Sequence, residues 1–175
     1  MKTCTGNSEL NYVSRYCLGL SLKVISKVVN VGRPQRSGFR VLLFHDIPVE
    51  SFVNFEKLVA YVVSNHGVLT PDQAGSYLAG EICQNSRFES GTPPCLFSFD
   101  DGFHSNLEIA KTVLSRYGIK ALFFVSPGLI HLSLREQLAA IAKNIFQSRI
   151  RASELKDDIR LLNWQELYEL KRQGH

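Results

Sequence analysis

Two adjacent carboxylates, Asp100 and Asp101, follow the apolar run Cys95-Leu96-Phe97-Ser98-Phe99 and precede Gly102. A short hydrophobic strand ending in an acidic pair sets both side chains at its C-terminal end, where α/β folds collect ligands and catalytic groups. Neighbouring carboxylates repel unless a cation or a shared proton relieves them. The pair therefore points to metal binding or acid–base work. Successive strand side chains face opposite sides, which predicts different roles for the two. Gly102 lets the backbone turn into the next element without steric cost. The structural alternative is an acidic pair favoured by the positive end of the following helix.

The elements that must position this pair are legible from periodicity. Arg40–His45 reads as a strand buried on both faces, because its apolar run is nearly continuous. Phe52, Phe55, Val59 and Val62 recur at helical spacing, with Gly67 placed to cap that helix. Thr70-Pro71-Asp72-Gln73 opens another helix through a capping box. The polar stretch 80–94 reads as a loop. Strand Cys95–Phe99 leads through the acidic pair to a helix over ~105–117, ended by Gly118, and then to strand Lys120–Val125, a parallel β-α-β unit. Ser133-Leu134-Arg135-Glu136 is a capping box for a helix with Leu134, Leu138, Ile141 and Ile145 inward. Asn163-Trp164-Gln165-Glu166 opens the last helix, closed by Gly174. Strand–helix alternation predicts an α/β fold with a parallel sheet.

The run Phe97-Ser98-Phe99-Asp100-Asp101-Gly102 resembles the S/T-F-D-D-G signature of the polysaccharide deacetylases, the NodB-homology domain of carbohydrate esterase family 4. Val41-Leu42-Leu43-Phe44-His45-Asp46 is similar to the opening strand of that domain, and Leu162 through His175 resembles the helix before its second motif. The resemblance covers roughly residues 40–175. It implies the first part of a distorted, incomplete (β/α) barrel with parallel strands. It also implies a metal-dependent hydrolase that removes acetyl groups from an N-acetylated or O-acetylated polysaccharide or oligosaccharide. By that resemblance Asp100 is the catalytic base and Asp101 a ligand of a divalent metal, usually zinc, which polarises the acetyl carbonyl and binds water. His175 falls in the lead-in to the second motif, so the two histidine ligands would lie beyond it. His45 shares the rim of Asp100 and is a candidate substrate-binding or Asp100-orienting residue. A site of His45, His104 and Asp101 is not forbidden by spacing, although it is not the family's arrangement. His104 reads otherwise as a helix-start residue, His131 has no evident partner, and Trp164 and Tyr168 read as core residues with sugar stacking as the rival. The alternative function is a non-catalytic carbohydrate-binding or interaction module, or a decayed fragment.

Bulk properties narrow the class. With 45% apolar and 21% charged residues, the 175-residue chain is globular in composition. No run of ~18 apolar residues offers a membrane span. The four cysteines (Cys4, Cys17, Cys83, Cys95) include no C-x-x-C pair, against a zinc knuckle or a disulfide scaffold. Residues 1–40 carry seven Lys/Arg and one Glu, against 13 basic and 15 acidic residues in the remainder. This predicts a basic N-terminal helix and linker over 1–38, with the helix at ~10–31, ahead of a deacetylase-like domain over 39–175. Lys23 and Lys27 interrupt that helix's apolar face, so it does not read as a secretory signal. The expectation is a cytoplasmic protein with no nucleic-acid partner, and membrane-surface contact by the helix is the less favoured alternative.

Overall fold

The computed structural model describes residues 38–81, 92–156 and 159–175. The expected N-terminal helix lies outside them, as does most of the 80–94 loop. Three strands, β1 (Arg40–Phe44), β2 (Cys95–Phe99) and β3 (Leu122–Phe123), form one sheet in that order, every pair parallel. The helices are α1 (Phe52–Asn65), α2 (Pro71–Leu78), α3 (His104–Thr112), α4 (Leu134–Ala140) and α5 (Trp164–Arg172).

The core explains this order. Phe55, Val59 and Val62 of α1 and Leu107 and Ala110 of α3 pack with Phe97 and Phe99 of β2 in one buried cluster. The helices α1 and α3 therefore share one face of the sheet, while Ala74 of α2 packs with Leu69 and Leu96 in a separate cluster. Right-handed crossovers between neighbouring strands give that result, and it is the wall of a (β/α) barrel rather than a doubly wound sheet. The α/β, partial-barrel architecture expected from the sequence is the one observed.

Every residue of β2 is buried. Phe99 meets the rings of Phe44, Phe55 and Phe123 at 5.5, 6.1 and 5.0 Å. The Cys95 thiol is buried, and burial pushes its pKa up. The opposite face of the sheet is different. The register sets Val41 beside Leu96, and Leu43 beside Ser98 and Leu122. Val41 and Leu43 are 53% and 52% exposed, and Phe124, just past β3, is 58% exposed. The expectation that β1 is buried on both faces is thus corrected: its apolar run serves the helical cluster on one side, and Val41 and Leu43 on the other side stay half exposed.

Local chemistry sets the remaining boundaries. Thr70 and Gln73 exchange backbone and side-chain hydrogen bonds at the start of α2, as do Asn163 and Glu166 at α5. Glu166 and Asn163 thereby satisfy two N–H groups that a helix start leaves open. At α4 the Ser133 N–H and hydroxyl both donate to Glu136. Leu134 there faces outward, contrary to its expected inward position, while Leu138 and Ile141 are buried and the helix runs on as a π turn over Ile141–Ile145. The helix expected over ~105–117 breaks at Val113 into a 3-10 turn, Leu114–Tyr117, closed by Gly118 at φ 63°. α1 ends instead with His66 in extended conformation rather than through a left-handed Gly67.

Beyond the end of α5, His175 folds back on β3. Its Nδ1 accepts from the Ala121 N–H at 3.1 Å, and its ring meets Phe123 edge-on at 5.2 Å. Burial, with the Lys120 cation adding to it, pushes this imidazole down from 6.5 to about 4. The unfolded chain therefore takes up this proton before the folded one. The contribution is complete above about pH 6.5 and is lost as pH falls towards about 4. Thermal unfolding of His175→Gln across that window is expected to show a flatter Tm–pH curve than the unsubstituted protein. In denaturant, Phe99→Ala is expected to cost about 3–5 kcal/mol, because three rings lose their shared neighbour.

Candidate active site

The chain leaves β2 through a left-handed turn. The Asp100 N–H still donates to Phe44 O at 2.8 Å, so the strand ladder holds to that point. Asp101 then adopts φ 67° and Gly102 φ 73°. Aspartate visits this region more readily than most residues. Gly102 has no substitute there, because a Cβ would lie 2.9 Å from Val125 Cγ1. Strand alternation, the sequence argument for separating the two carboxylates, stops at Asp100. The turn separates them instead.

The two side chains meet different surroundings. Asp100 Oδ1 is buried and has no hydrogen-bond partner among the described residues. Ser98 Oγ, two residues earlier on the same strand face, is buried and unpartnered as well. Buried polar atoms are normally satisfied, so these two mark a place built for a further donor. Asp101 is part-exposed, with Oδ2 3.9 Å from Nε2 of the more exposed His45. At that distance the two side chains face each other without making a hydrogen bond. His45 thus stands at the rim, as its strand position predicts.

The rim is braced on two sides. Ser105 Oγ donates to Asp46 Oδ1 at 2.6 Å and accepts from the Ile47 N–H at 3.2 Å, tying the loop after β1 to the first turn of α3. Asp46 thus positions the rim, a role that the sequence signals only through its place directly after His45 at a strand end. On the other side, Leu162 N–H donates to Gly102 O at 2.8 Å, and Phe103 bridges to Leu161. Glu166 takes both guanidinium nitrogens of Arg160, at 2.9 and 2.7 Å. Burial alone would raise the Glu166 carboxyl, but the hydrogen bonds from Arg160 and Asn163 outweigh it and hold it below the usual range.

His104 belongs to this brace. Arg160 Nη2 lies 3.3 Å from its Nε2, and since a guanidinium only donates, Nε2 accepts. Nδ1 is then the protonated nitrogen, 3.2 Å from Glu166 Oε1 but without hydrogen-bond alignment. His104 is the first residue of α3, the helix-start role expected for it, and its ring is committed to Arg160 and Glu166. A site of His45, His104 and Asp101 does not form. Among the described residues no three His, Cys, Asp or Glu side chains gather as a metal would require. Zinc needs three or four such donors, and Asp101 with His45 supplies two at most, so the described residues do not fit a metal by themselves.

Other side chains missed or misplaced by sequence reasoning lie close by. Asn106 is fully buried with neither amide atom partnered among the described residues. Its position in the first turn of an amphipathic helix, where an apolar residue would be ordinary, was the available signal. Trp164 and Tyr168 are not core residues: both face solvent, because Leu167 and Leu170 take the inward positions of α5. His131 does have a partner, accepting from Trp164 Nε1 at 3.3 Å.

IcaB from Ammonifex degensii aligns over 80% of this chain with a TM-score of 0.51 and 25% identity. The fold is that of the polysaccharide deacetylases, the NodB-like fold. A de-N-acetylase from Aggregatibacter actinomycetemcomitans aligns over 78% of the chain with a TM-score of 0.55 and 14% identity. The chain spans about half of each of these structures, 51% in both cases. No protein-family model and no curated protein matches the sequence. In this partial deacetylase fold, the left-handed turn makes a sharp demand. Gly102→Ala is expected to cost about 1–3 kcal/mol from strain and the Val125 contact, read as a lower denaturation midpoint. Ser105→Ala, which leaves the backbone unstrained, should cost about 1–3 kcal/mol through the lost Asp46 bond.

Proposed function

We propose that this chain contributes the Asp100–Asp101 side of a glycan deacetylase site. The substrate would be an acetylated polysaccharide or oligosaccharide, with the acetyl group on nitrogen or oxygen. The observation that carries the proposal is the buried, unpartnered Asp100 Oδ1 at the end of β2 in a deacetylase fold. Asp100 takes a proton from water as the water oxygen adds to the acetyl carbonyl carbon. The tetrahedral adduct collapses with loss of the sugar nitrogen or oxygen, which takes up the proton held by Asp100, and the acetic acid formed ionises to acetate. His45, at the exposed rim beside Asp101, contacts the sugar. Residues 39–175 are the deacetylase-like domain in this proposal, and 1–38 its basic extension. Asp101 is the residue that the family resemblance assigns to a divalent metal, zinc in most members.

A second reading, a glycan-binding module without catalysis, is favoured by the absence of a three-donor cluster among the described residues. Steady-state kinetics on an oligosaccharide of N-acetylglucosamine separate the two. Asp100→Asn is expected to lower kcat by about 10²–10⁴-fold with KM nearly unchanged. Full activity in that variant would remove Asp100 from the base role. Binding without acetate release by the unsubstituted protein would favour the module.

A further inference from the structure

The outer face of α5 carries two large aromatic side chains that the proposed chemistry does not use. Trp164 is 51% and Tyr168 64% exposed. Four residues apart on a helix, they lie one above the other on the same face. Helices ordinarily commit such side chains to the core, yet here Leu167 and Leu170 fill that role. The indole is held in place rather than left to swing. Its N–H donates to His131 Nε2, and the two rings stand 5.9 Å apart at 46°, so His131 anchors the indole edge without stacking on its face. What remains available is a ring face of fixed orientation, with a phenol hydroxyl four residues on.

The flanking positions Asn163, Gln165, Lys171 and Arg172 are exposed and polar. The patch is thus two aromatic faces in a polar surround rather than a continuous apolar surface of the kind that buries against another protein. A pyranose ring matches it: one face of the ring presents C–H bonds to the electron-rich aromatic face, while its hydroxyls reach polar neighbours. The patch also sits beside the acidic turn. Leu162 is hydrogen-bonded to Gly102 at 2.8 Å, and Trp164 is only two residues further, about 7 Å of chain at most.

We propose that Trp164 and Tyr168, with His131 fixing the indole, form a stacking platform for a sugar ring of the glycan, flanking the ring presented to Asp100. The identity of the ligand rests on the deacetylase reading above; the platform itself rests on the exposure and anchoring of the two rings.

The sequence contains a single tryptophan, so its fluorescence reports this site alone. Titration with a pentamer of N-acetylglucosamine is expected to give a saturable blue shift of Trp164 emission. Tyr168→Ala should weaken the apparent Kd about three- to tenfold. His131→Ala should weaken it too and shift the emission of the free protein. Calorimetry on Trp164→Ala should show a loss of similar size with the fold intact by circular dichroism. In Asp100→Asn the fluorescence response should persist while turnover falls. A saturable response without any acetate release would keep the platform and remove the deacetylase reading. Absence of a saturable response across the soluble range of ligand overturns the platform, whether or not acetate is released.

Discussion

The rest of the structure hangs on how the chain leaves β2. That strand is buried along its whole length between two layers of side chains, and it must still end in two carboxylates. A strand simply continuing would drive one of them into the aromatic cluster of Phe44, Phe55 and Phe123. The left-handed pair Asp101 and Gly102 avoids this by reversing the chain within two residues, under Val125, where only glycine fits the second position. Residues held in this conformation cost of order 1–3 kcal/mol and persist only where their surroundings fix them. Here the fixing contacts are the Phe44 carbonyl on one side and the Leu162 amide on the other. Strain of this kind, beside a buried carboxylate oxygen with no partner among the described residues, is what a site organised around Asp100 would show.

Two braces turn that local turn into a rim. Ser105 and Asp46 fasten the loop after β1, and Arg160 with Glu166 fastens the entrance of α5 to His104 at the entrance of α3. Glu166 does two things at once, capping α5 and holding the guanidinium. The helix starts, rather than the helix bodies, thus carry the polar contacts of the site, while the bodies supply the apolar layer behind the sheet. This arrangement leaves the outer face of α5 free to carry its aromatic pair.

The sequence made the core of this legible for a physical reason. β2, the capping boxes at Thr70, Ser133 and Asn163, and the apolar stripe of α1 are local signals, set by residues within one or two turns of each other. What it could not show depends on partners far along the chain. The apolar run of β1 looks alike whether one face or two are covered, and only the structure shows Val41 and Leu43 exposed. Trp164 has the composition of a core residue; its exposure follows from Leu167 and Leu170 taking the inward positions. The Trp164–His131 bond joins residues 33 apart in the chain, and the Ser105–Asp46 bond joins residues 59 apart. No spacing rule announces either. The acidic pair itself was legible, whereas the reason its two members differ was not: a backbone conformation at Asp101, rather than strand alternation, sets them apart.

Product stoichiometry reads whether this rim deacetylates a sugar. The protein would be incubated with an oligosaccharide of N-acetylglucosamine, and acetate and free amine counted in the same samples over time. Both products are expected to rise together in a one-to-one ratio. Intact substrate in the presence of folded, glycan-bound protein would contradict that expectation.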